Sequence, residues 1–158
     1  MPGPQHVVVQ ISEAKDDVAI AEAAELLRAA GFGSAADELI RDGTRPPEYV
    51  LLARDAAGAP LGVLQGRQPS EVVDDDGSER TSALLTHLAV DPAHRRTGVG
   101  SSLISEFCVR SFAAGAELVV LQIGPATGER ADSLTAFYEA NRFVVHGPGF
   151  RRELKGGT

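Results

Sequence analysis

The sequence LLTHLAVDPAHRRTGVGSSLISEF, residues 84–107, is the most informative part of this chain. An apolar strand pattern runs into Asp91-Pro92, two arginines follow, and a Gly-x-Gly sequence then opens an apolar helical pattern. Glycine has no Cβ, so a ligand can approach its backbone closely, and the N–H groups of a first helical turn have no partner within the helix. Because the helix dipole adds partial positive charge there, this order of residues predicts an anion site, most commonly for phosphate.

Two common phosphate-binding loops do not fit this stretch. A Walker A loop needs a lysine after its second glycine, and a Rossmann loop needs a third glycine where Leu103 stands. The run Arg95-Arg96-Thr97-Gly98-Val99-Gly100 instead resembles the Arg/Gln-x-x-Gly-x-Gly/Ala pyrophosphate loop of the GNAT family, the GCN5-related N-acetyltransferases. Residues 88–95, LAVDPAHR, are similar to the strand and turn that precede that loop. The alternative interpretation is a helix cap with incidental arginines.

A second stretch carries the same resemblance. Residues 137–143, FYEANRF, are similar to the Leu/Phe-Tyr-x-x-x-Gly-Phe helix ending of the GNAT family. Two positions depart from the pattern. Arg142 stands where the family usually has glycine, so we expect this helix to close differently. Ala131 stands where many members carry an asparagine that contacts the cofactor, which removes one cofactor contact.

The resemblance implies a fold and a reaction. The fold class is α/β (α+β): one domain over residues 1–158, with a mixed, mostly antiparallel central sheet, splayed central strands and flanking helices. The reaction is acetyl transfer from acetyl-CoA to a primary amine of a small molecule or peptide, with Tyr138 as general acid. The cofactor-binding residues would be Leu88, Ala89 and Val90 along the pantetheine arm, and Arg95, Arg96, Thr97, Gly98, Val99, Gly100 and Ser101 around the pyrophosphate.

Further roles follow from the same implied geometry. The N–H of Leu88 could polarise the thioester oxygen, and Gly100 is expected to leave space for the pyrophosphate. Tyr138 suits the acid role because tyrosine holds its proton to about pH 10, above the pKa of a thiol. A non-catalytic acyl-CoA-binding regulatory module is the alternative function, and the retention of Tyr138 favours the enzyme.

The general base stays open between His87, an acid of the 71–79 segment and water. His87 lies on the central strand and titrates in a suitable range. Strand alternation places it opposite Thr86, Leu88 and Val90 unless a bulge intervenes, so a structural role is favoured for His87. The acidic segment EVVDDDGSER, residues 71–80, predicts a solvated loop; its sharper interpretation is an electrostatic lip for an amine substrate.

Composition predicts the cellular compartment of the protein and disfavours some classes of partner. The chain has 158 residues, one cysteine (Cys108) and a net charge of −7, which disfavours nucleic acid as a partner. No apolar run is long enough to span a membrane, and the N-terminus lacks a secretory pattern. We therefore expect a cytoplasmic protein with a packed Cys108 thiol, no membrane contact and no metal. A homodimer is left open.

Apolar periodicity and chain breakers predict alternating helices and strands. Ser12 is expected to cap the first helix, with Val18 on its apolar side, and Phe112 is expected on the apolar side of the helix after the glycines. The predicted strands are residues 6–11, 49–54, 60–67, 81–90, 117–123, 143–146 and 150–154. The predicted helices are one that follows Ser12 and ends before Gly31, and residues 35–41, 98–114 and 131–141.

Overall fold

A computed structural model describes residues 9–45, 48–73, 76–94, 97–122, 129–147 and 149–154. In chain order the elements are β1 Gln10–Glu13, α1 Asp17–Ala29, α2 Gly33–Asp42, β2 Glu48–Arg54, β3 Pro60–Val73, β4 Glu79–Val90, α3 Val99–Ala113, β5 Leu118–Gln122, α4 Glu129–Ala140, β6 Val144–His146 and β7 Gly149–Glu153, with a short 3₁₀ turn at Pro92–His94. The predicted order of helices and strands is confirmed.

The strands form one seven-stranded sheet in the order β1-β2-β3-β4-β5-β7-β6. Every neighbouring pair is antiparallel except β4 and β5, which run parallel. The described residues therefore form a single α/β domain with a mixed, mostly antiparallel sheet flanked by helices, as the sequence predicted.

The two faces of the sheet bury different side chains. Successive side chains of β2 point to opposite faces of the sheet. Leu51 therefore belongs to one buried cluster, and Val50 and Leu52 belong to the other. Helices α1 and α2 cover the alanine cluster, whose members are Ala14, Ala19, Ala23, Ala24, Ala35, Ala36 and Ala89 with Leu27, Leu39, Val50, Leu52 and Val63. Helices α3 and α4 cover the aromatic cluster, which contains Tyr49, Phe107, Tyr138, Phe143 and Phe150 among aliphatic residues.

Two glycines of β3 let α3 approach the sheet closely. A Cβ built on Gly62 would lie 2.9 Å from Val99 Cγ1, and one built on Gly66 would lie 2.5 Å from Phe107 Cε1. Real Cβ atoms do not pack at such distances, so a larger residue at either position would force the side chain of Val99 or Phe107, or α3 itself, to shift. The position of α3 thus depends on two residues that no sequence motif marked.

The start of the chain differs from the prediction. In the described part, β1 is Gln10–Glu13, and residues 6–8 of the predicted strand lie outside that part. Ser12 pairs with Leu52 inside the strand and caps nothing. The cap of α1 is Asp16, whose carboxylate accepts a hydrogen bond of 2.8 Å from the N–H of Ala19. The cap prediction was wrong because the strand continues two residues beyond its apolar run.

Both ends of the acidic segment are strand, so the turn is shorter than the predicted loop. β3 extends to Val73 and β4 begins at Glu79, with Val72 opposite Arg80. Backbone pairing does not require buried side chains, and those of residues 71–73 are exposed. Within the hairpin tip, Asp76 accepts hydrogen bonds from the N–H (2.9 Å) and hydroxyl (2.5 Å) of Ser78, which lower the pKa of its carboxyl. These contacts favour the solvated-turn interpretation.

The remaining bounds of helices and strands agree with the prediction to within about two residues. Two apolar residues that were predicted to be buried are exposed. Val18 is 69% exposed and Phe112 is 46% exposed, although both had been assigned to buried helix sides. Both lie near the end of a helix, where the sheet no longer covers every apolar position.

The end of α4 closes as a glycine-ended helix does, which corrects the expectation for Arg142. Arg142 has a left-handed φ of 70°, and it is the one non-glycine with positive φ among the described residues. Phe143 N–H donates to the Tyr138 carbonyl (3.0 Å) and Arg142 N–H to the Glu139 carbonyl (3.0 Å), the Schellman pattern. Arginine therefore adopts the conformation that favours glycine, at a cost of roughly 1–2 kcal/mol.

Candidate active site

Strands β4 and β5 separate part-way along β4. Their parallel ladder runs from Ser82–Leu118 to Leu85–Leu121, while β4 stays paired with β3 as far as Val90. Within the described residues, no pairing joins β5 to positions 86–90 of β4. We call this opening the fork. It corresponds to the predicted splay of the central strands, and it leaves one edge of β4 with unpaired backbone groups.

The hydrogen-bond pattern decides which groups of β4 face the fork. The N–H of Asp91 donates to the carbonyl of Leu61 (2.8 Å), and hydrogen bonding alternates along an antiparallel strand. Ala89 therefore directs its N–H and C=O toward Val63 of β3. Leu88 and Val90 direct theirs to the fork. Three backbone positions were expected along a pantetheine arm. Leu88 and Val90 direct their N–H and C=O groups into the fork, whereas Ala89, which lies between them, is paired with β3.

A β-bulge lies at the mouth of the fork. Gln65 pairs with His87 but Gly66 pairs with Leu85, so Thr86 is an extra residue on β4. The Thr86 hydroxyl donates a hydrogen bond of 2.9 Å to the Gln65 carbonyl. Because of this bulge, Leu85 and Leu88 face the same aromatic cluster despite their odd spacing.

The bulge also decides the orientation of His87. Its ring contacts Phe32, which packs against the alanine cluster, with ring centroids 4.8 Å apart in an edge arrangement. His87 therefore faces α1 and α2, opposite Leu88 and Val90, as alternation predicted. Alternation also puts Leu84, between the buried Ala83 and Leu85, on the His87 side. The bulge thus brings His87 to the strand face on which Leu84 lies.

The expected pyrophosphate loop joins the fork to α3. Arg95 and Arg96 lie outside the described residues. Gly98 takes a left-handed conformation (φ 88°) at the N-cap of α3, where no side chain caps the helix. The first helical bond is from Ser102 N–H to the Gly98 carbonyl (2.9 Å). The N–H groups of the three residues before Ser102 therefore have no partner within the helix, as anion binding requires: Val99, Gly100 and Ser101.

Two contacts hold this loop in place. The Thr97 hydroxyl donates a hydrogen bond to the carbonyl of His94. Gly100 is buried, and a Cβ built on it would lie 3.2 Å from Phe137 Cζ and 3.5 Å from Val90 Cγ2. The close contact with Phe137 gives a second reason for glycine at this position, because a side chain at residue 100 would disturb the packing of α3 against α4.

Tyr138 lies on the aromatic face of the sheet at the level of the fork. Its ring is 5.4 Å from that of Phe150, which pairs with Leu121, the last β5 residue in the ladder with β4. Phe137 and Phe143 pack edge-on against the Tyr138 ring at 5.1 and 5.7 Å. Burial raises the pKa of Tyr138 to about 12, so the hydroxyl keeps its proton at neutral pH.

Three further features were considered in the sequence: the single cysteine, a possible metal site and a possible membrane span. Cys108 is buried, and burial raises the pKa of its thiol, as expected for a packed cysteine. Among the described residues, no cluster of three or more His, Cys, Asp or Glu side chains could hold a metal ion. In the same part of the chain, no helix combines the length and apolarity needed to cross a bilayer.

The sequence matches the acetyltransferase (GNAT) family over residues 19–142. This chain belongs to the GNAT family of acetyltransferases. The family uses acyl-CoA as cosubstrate, so the fork and the loop after β4 lie in an acyltransferase domain. No curated protein matches the chain.

Solved structures share the fold of this GNAT domain. A GNAT-family acetyltransferase from Desulfovibrio desulfuricans is 15% identical, with a TM-score of 0.72, over 94% of this chain and 100% of that one. Ard1 from Thermoplasma volcanium is 20% identical, with a TM-score of 0.68, over 94% and 99%. An aminoglycoside acetyltransferase from an uncultured soil metagenomic sample is 21% identical, with a TM-score of 0.64, over 89% and 93%.

Three residues around the fork had escaped the sequence analysis. Phe137 packs on Gly100, while Phe32 and Gln65 contact His87. The position of Phe32 could have been noticed, because it follows Gly31 at a helix end and hydrophobic residues often pack there. Gln65 carries no comparable mark, since its contact depends on the strand register and on the bulge.

Proposed function

We propose that this GNAT domain transfers an acetyl group from acetyl-CoA directly to a primary amine of a small molecule or peptide. The observation that carries the proposal is the position of Tyr138 beside the fork. Its ring packs on Phe150, which pairs with Leu121, the last β5 residue in the ladder with β4, and its hydroxyl keeps its proton. A module that only bound acyl-CoA would not need an acid there.

The chain offers backbone groups for both ends of acetyl-CoA. Leu88 and Val90 can pair with the amides of the pantetheine arm as a neighbouring strand would. The N–H groups of Val99, Gly100 and Ser101, which have no partner within the helix, can bind the pyrophosphate at the start of α3. Thr97 and Gly98 shape that turn, and Arg95 and Arg96 would add positive charge at its edge. These contacts fix the thioester for attack.

The chemistry then needs a polarised carbonyl and a stabilised leaving group. The fork-facing N–H of Leu88 can donate to the thioester oxygen as negative charge develops on it. The amine nitrogen forms a bond to the carbonyl carbon, the carbon–sulfur bond breaks, and the thiolate takes a proton. A tyrosine of pKa about 12 is a weaker acid than a thiol of pKa about 8.5. Tyr138 therefore stabilises the developing thiolate as a hydrogen-bond donor, and a proton that passes through it to sulfur is replaced from the attacking amine through water.

For the acetyl acceptor we propose a chemical class, cationic amines, and no single compound. A net charge of −7 favours a cationic amine by electrostatic steering. The aminoglycoside acetyltransferase among the similar structures gives one polyamine chemistry to test. The single, buried Cys108 agrees with a cytoplasmic location.

A ligand-binding assay followed by turnover tests the proposal. Acetyl-CoA or CoA at millimolar concentration should raise the thermal midpoint, because binding at a hundredfold excess over Kd adds about 2.7 kcal/mol. NADH and ATP serve as controls and should shift it less. Release of CoA is then measured with an aminoglycoside, a hexosamine and N-terminal peptide amines. No shift with either CoA species contradicts the proposal, whereas a shift without turnover indicates a regulatory acyl-CoA-binding module.

A further inference from the structure

Three half-buried side chains from different parts of the chain meet on the alanine-cluster face beside the fork. His87 comes from the bulge of β4, Gln65 from β3 and Phe32 from the turn after α1. The His87 Nδ1 atom lies 2.8 Å from Gln65 Oε1, and the Phe32 ring packs on the imidazole. No sequence motif includes these residues, and the aromatic-face chemistry of Tyr138 does not use them.

The contact with Gln65 favours one tautomer of His87. With Oε1 of Gln65 directed at Nδ1, the amide oxygen can only accept a hydrogen bond, which favours the tautomer that carries its proton on Nδ1. The neutral ring then has its lone pair on Nε2. Gln65 is itself held through its carbonyl, which accepts from the Thr86 hydroxyl. The bulge thus determines both the direction and the protonation pattern of the imidazole.

The surroundings keep this ring neutral. Burial lowers the pKa of His87, and the carboxylate of Glu38 on α2 acts in the opposite direction, raising it. Of the elements that reach the ring, β3 contributes the neutral Gln65 and the turn after α1 contributes Phe32. Glu38 is therefore the charged group that influences it, and its exposed carboxylate can also attract a cationic amine.

We propose that Nε2 of His87 accepts the proton of the incoming ammonium, and that Gln65 is the residue that positions it. This step rests on the proposed acetyl transfer. His87 and Tyr138 lie on opposite faces of the sheet at the fork, so one proton acceptor and one donor flank the reacting carbonyl. Of the three ammonium protons, one stays on the amide and one passes through His87 to water. The third replaces, through water, the proton that Tyr138 gives to sulfur.

Among the acids of the 71–79 segment that the structure describes, the alternatives are less well placed, and Asp74 and Asp75 lie outside the described residues. Asp76 is committed to Ser78 at the hairpin tip. Glu71 and Glu79 are exposed on the hairpin beyond Ser82, where the ladder with β5 begins, and therefore at the end opposite the fork.

The decisive experiment is the pH dependence of kcat/KM for the amine that releases CoA fastest. In the wild type we expect activity to be lost on acidification, with an apparent pKa below that of free histidine, as Nε2 becomes protonated. His87→Gln should lower kcat about a hundredfold and abolish this acid limb. Gln65→Glu should move the limb to higher pH, because a carboxylate on Nδ1 stabilises the imidazolium. His146→Gln, on the distant β6, is the matched control and should change neither.

Nitrogen NMR of the imidazoles adds a readout that does not depend on turnover. The wild type should show His87 protonated on Nδ1, and Gln65→Leu should give a mixture of tautomers. An Nε2-protonated His87 overturns the inference, and so does an acid limb that is unchanged in both His87→Gln and Gln65→Glu. CoA release with unchanged limbs defeats the His87 assignment alone. Tight acetyl-CoA binding without release from any amine defeats the proposed function, and the base assignment falls with it.

Discussion

The two faces of the sheet are built from different materials. The α1–α2 face buries seven alanines, whereas the α3–α4 face buries Tyr49, Phe107, Tyr138, Phe143 and Phe150. Small side chains let α1 and α2 lie close to the sheet and to each other, and large aromatic rings fill the wider space under α3 and α4. Apart from Ala89, the clustered residues of both sequence motifs lie on the aromatic face. The alanine face, on which we place the proposed base His87, carries no other motif residue, so the sequence indicates the family but not the amine substrate.

The largest expected effect tests how unequally the two faces contribute to stability. Phe107→Ala removes a fully buried ring from the aromatic cluster and should lower the free energy of unfolding by about 3–5 kcal/mol. Val63→Ala, equally buried on the alanine face, removes less volume and should cost less than half as much. Urea denaturation measures both. Equal losses would show that the alanine cluster is packed as critically as the aromatic one.

The next prediction separates chemistry from packing on the aromatic face. Tyr138→Phe keeps the ring and removes the hydroxyl, so kcat should fall about a hundredfold while acetyl-CoA affinity barely changes. Tyr49→Phe is the matched control, since Tyr49 is the only other tyrosine, is buried in the same cluster and lies on β2 away from the fork. Unchanged kcat in both variants would mean that water protonates the thiolate and that Tyr138 is structural.

The smallest effect compares a helix end from each face. Helix α1 closes with Gly31 (φ 92°) and α4 closes with Arg142 (φ 70°), both in the Schellman pattern. Arg142 is exposed, so Arg142→Gly should relieve the left-handed strain and stabilise the fold by about 1 kcal/mol. The converse change, Gly31→Arg, should destabilise by a similar amount. Thermal unfolding measures the pair, and a destabilising Arg142→Gly would reveal a contact of the arginine that offsets its strain.

How much the sequence could predict depends on whether side chains or backbone pairing decide a feature. Helix α3 and its glycines were predictable, because the spacing of apolar residues and the positions of glycines are given directly by the sequence. Ser12 was misassigned, and residues 71–73 were taken for loop, because strands continue wherever backbone partners exist. The closure at Arg142 was mispredicted because tertiary packing of Phe143 on Tyr138 overrides a local preference. The His87–Gln65 contact could not be foreseen, since it follows from one extra residue in the register.

Gly62 and Gly66 give β3 a second part in the site, besides the contact of Gln65 with His87. The height of α3 above the sheet is limited by Val99 and Phe107 resting on these two glycines. Val99 is also the first residue of the helix whose N-terminus is proposed to hold the pyrophosphate. A methyl group added at either glycine would therefore disturb the packing of α3 on the sheet and displace the loop that is proposed to bind the cofactor. The absence of side chains at these two positions thus fixes the distance between α3 and β3, and with it the position of that loop.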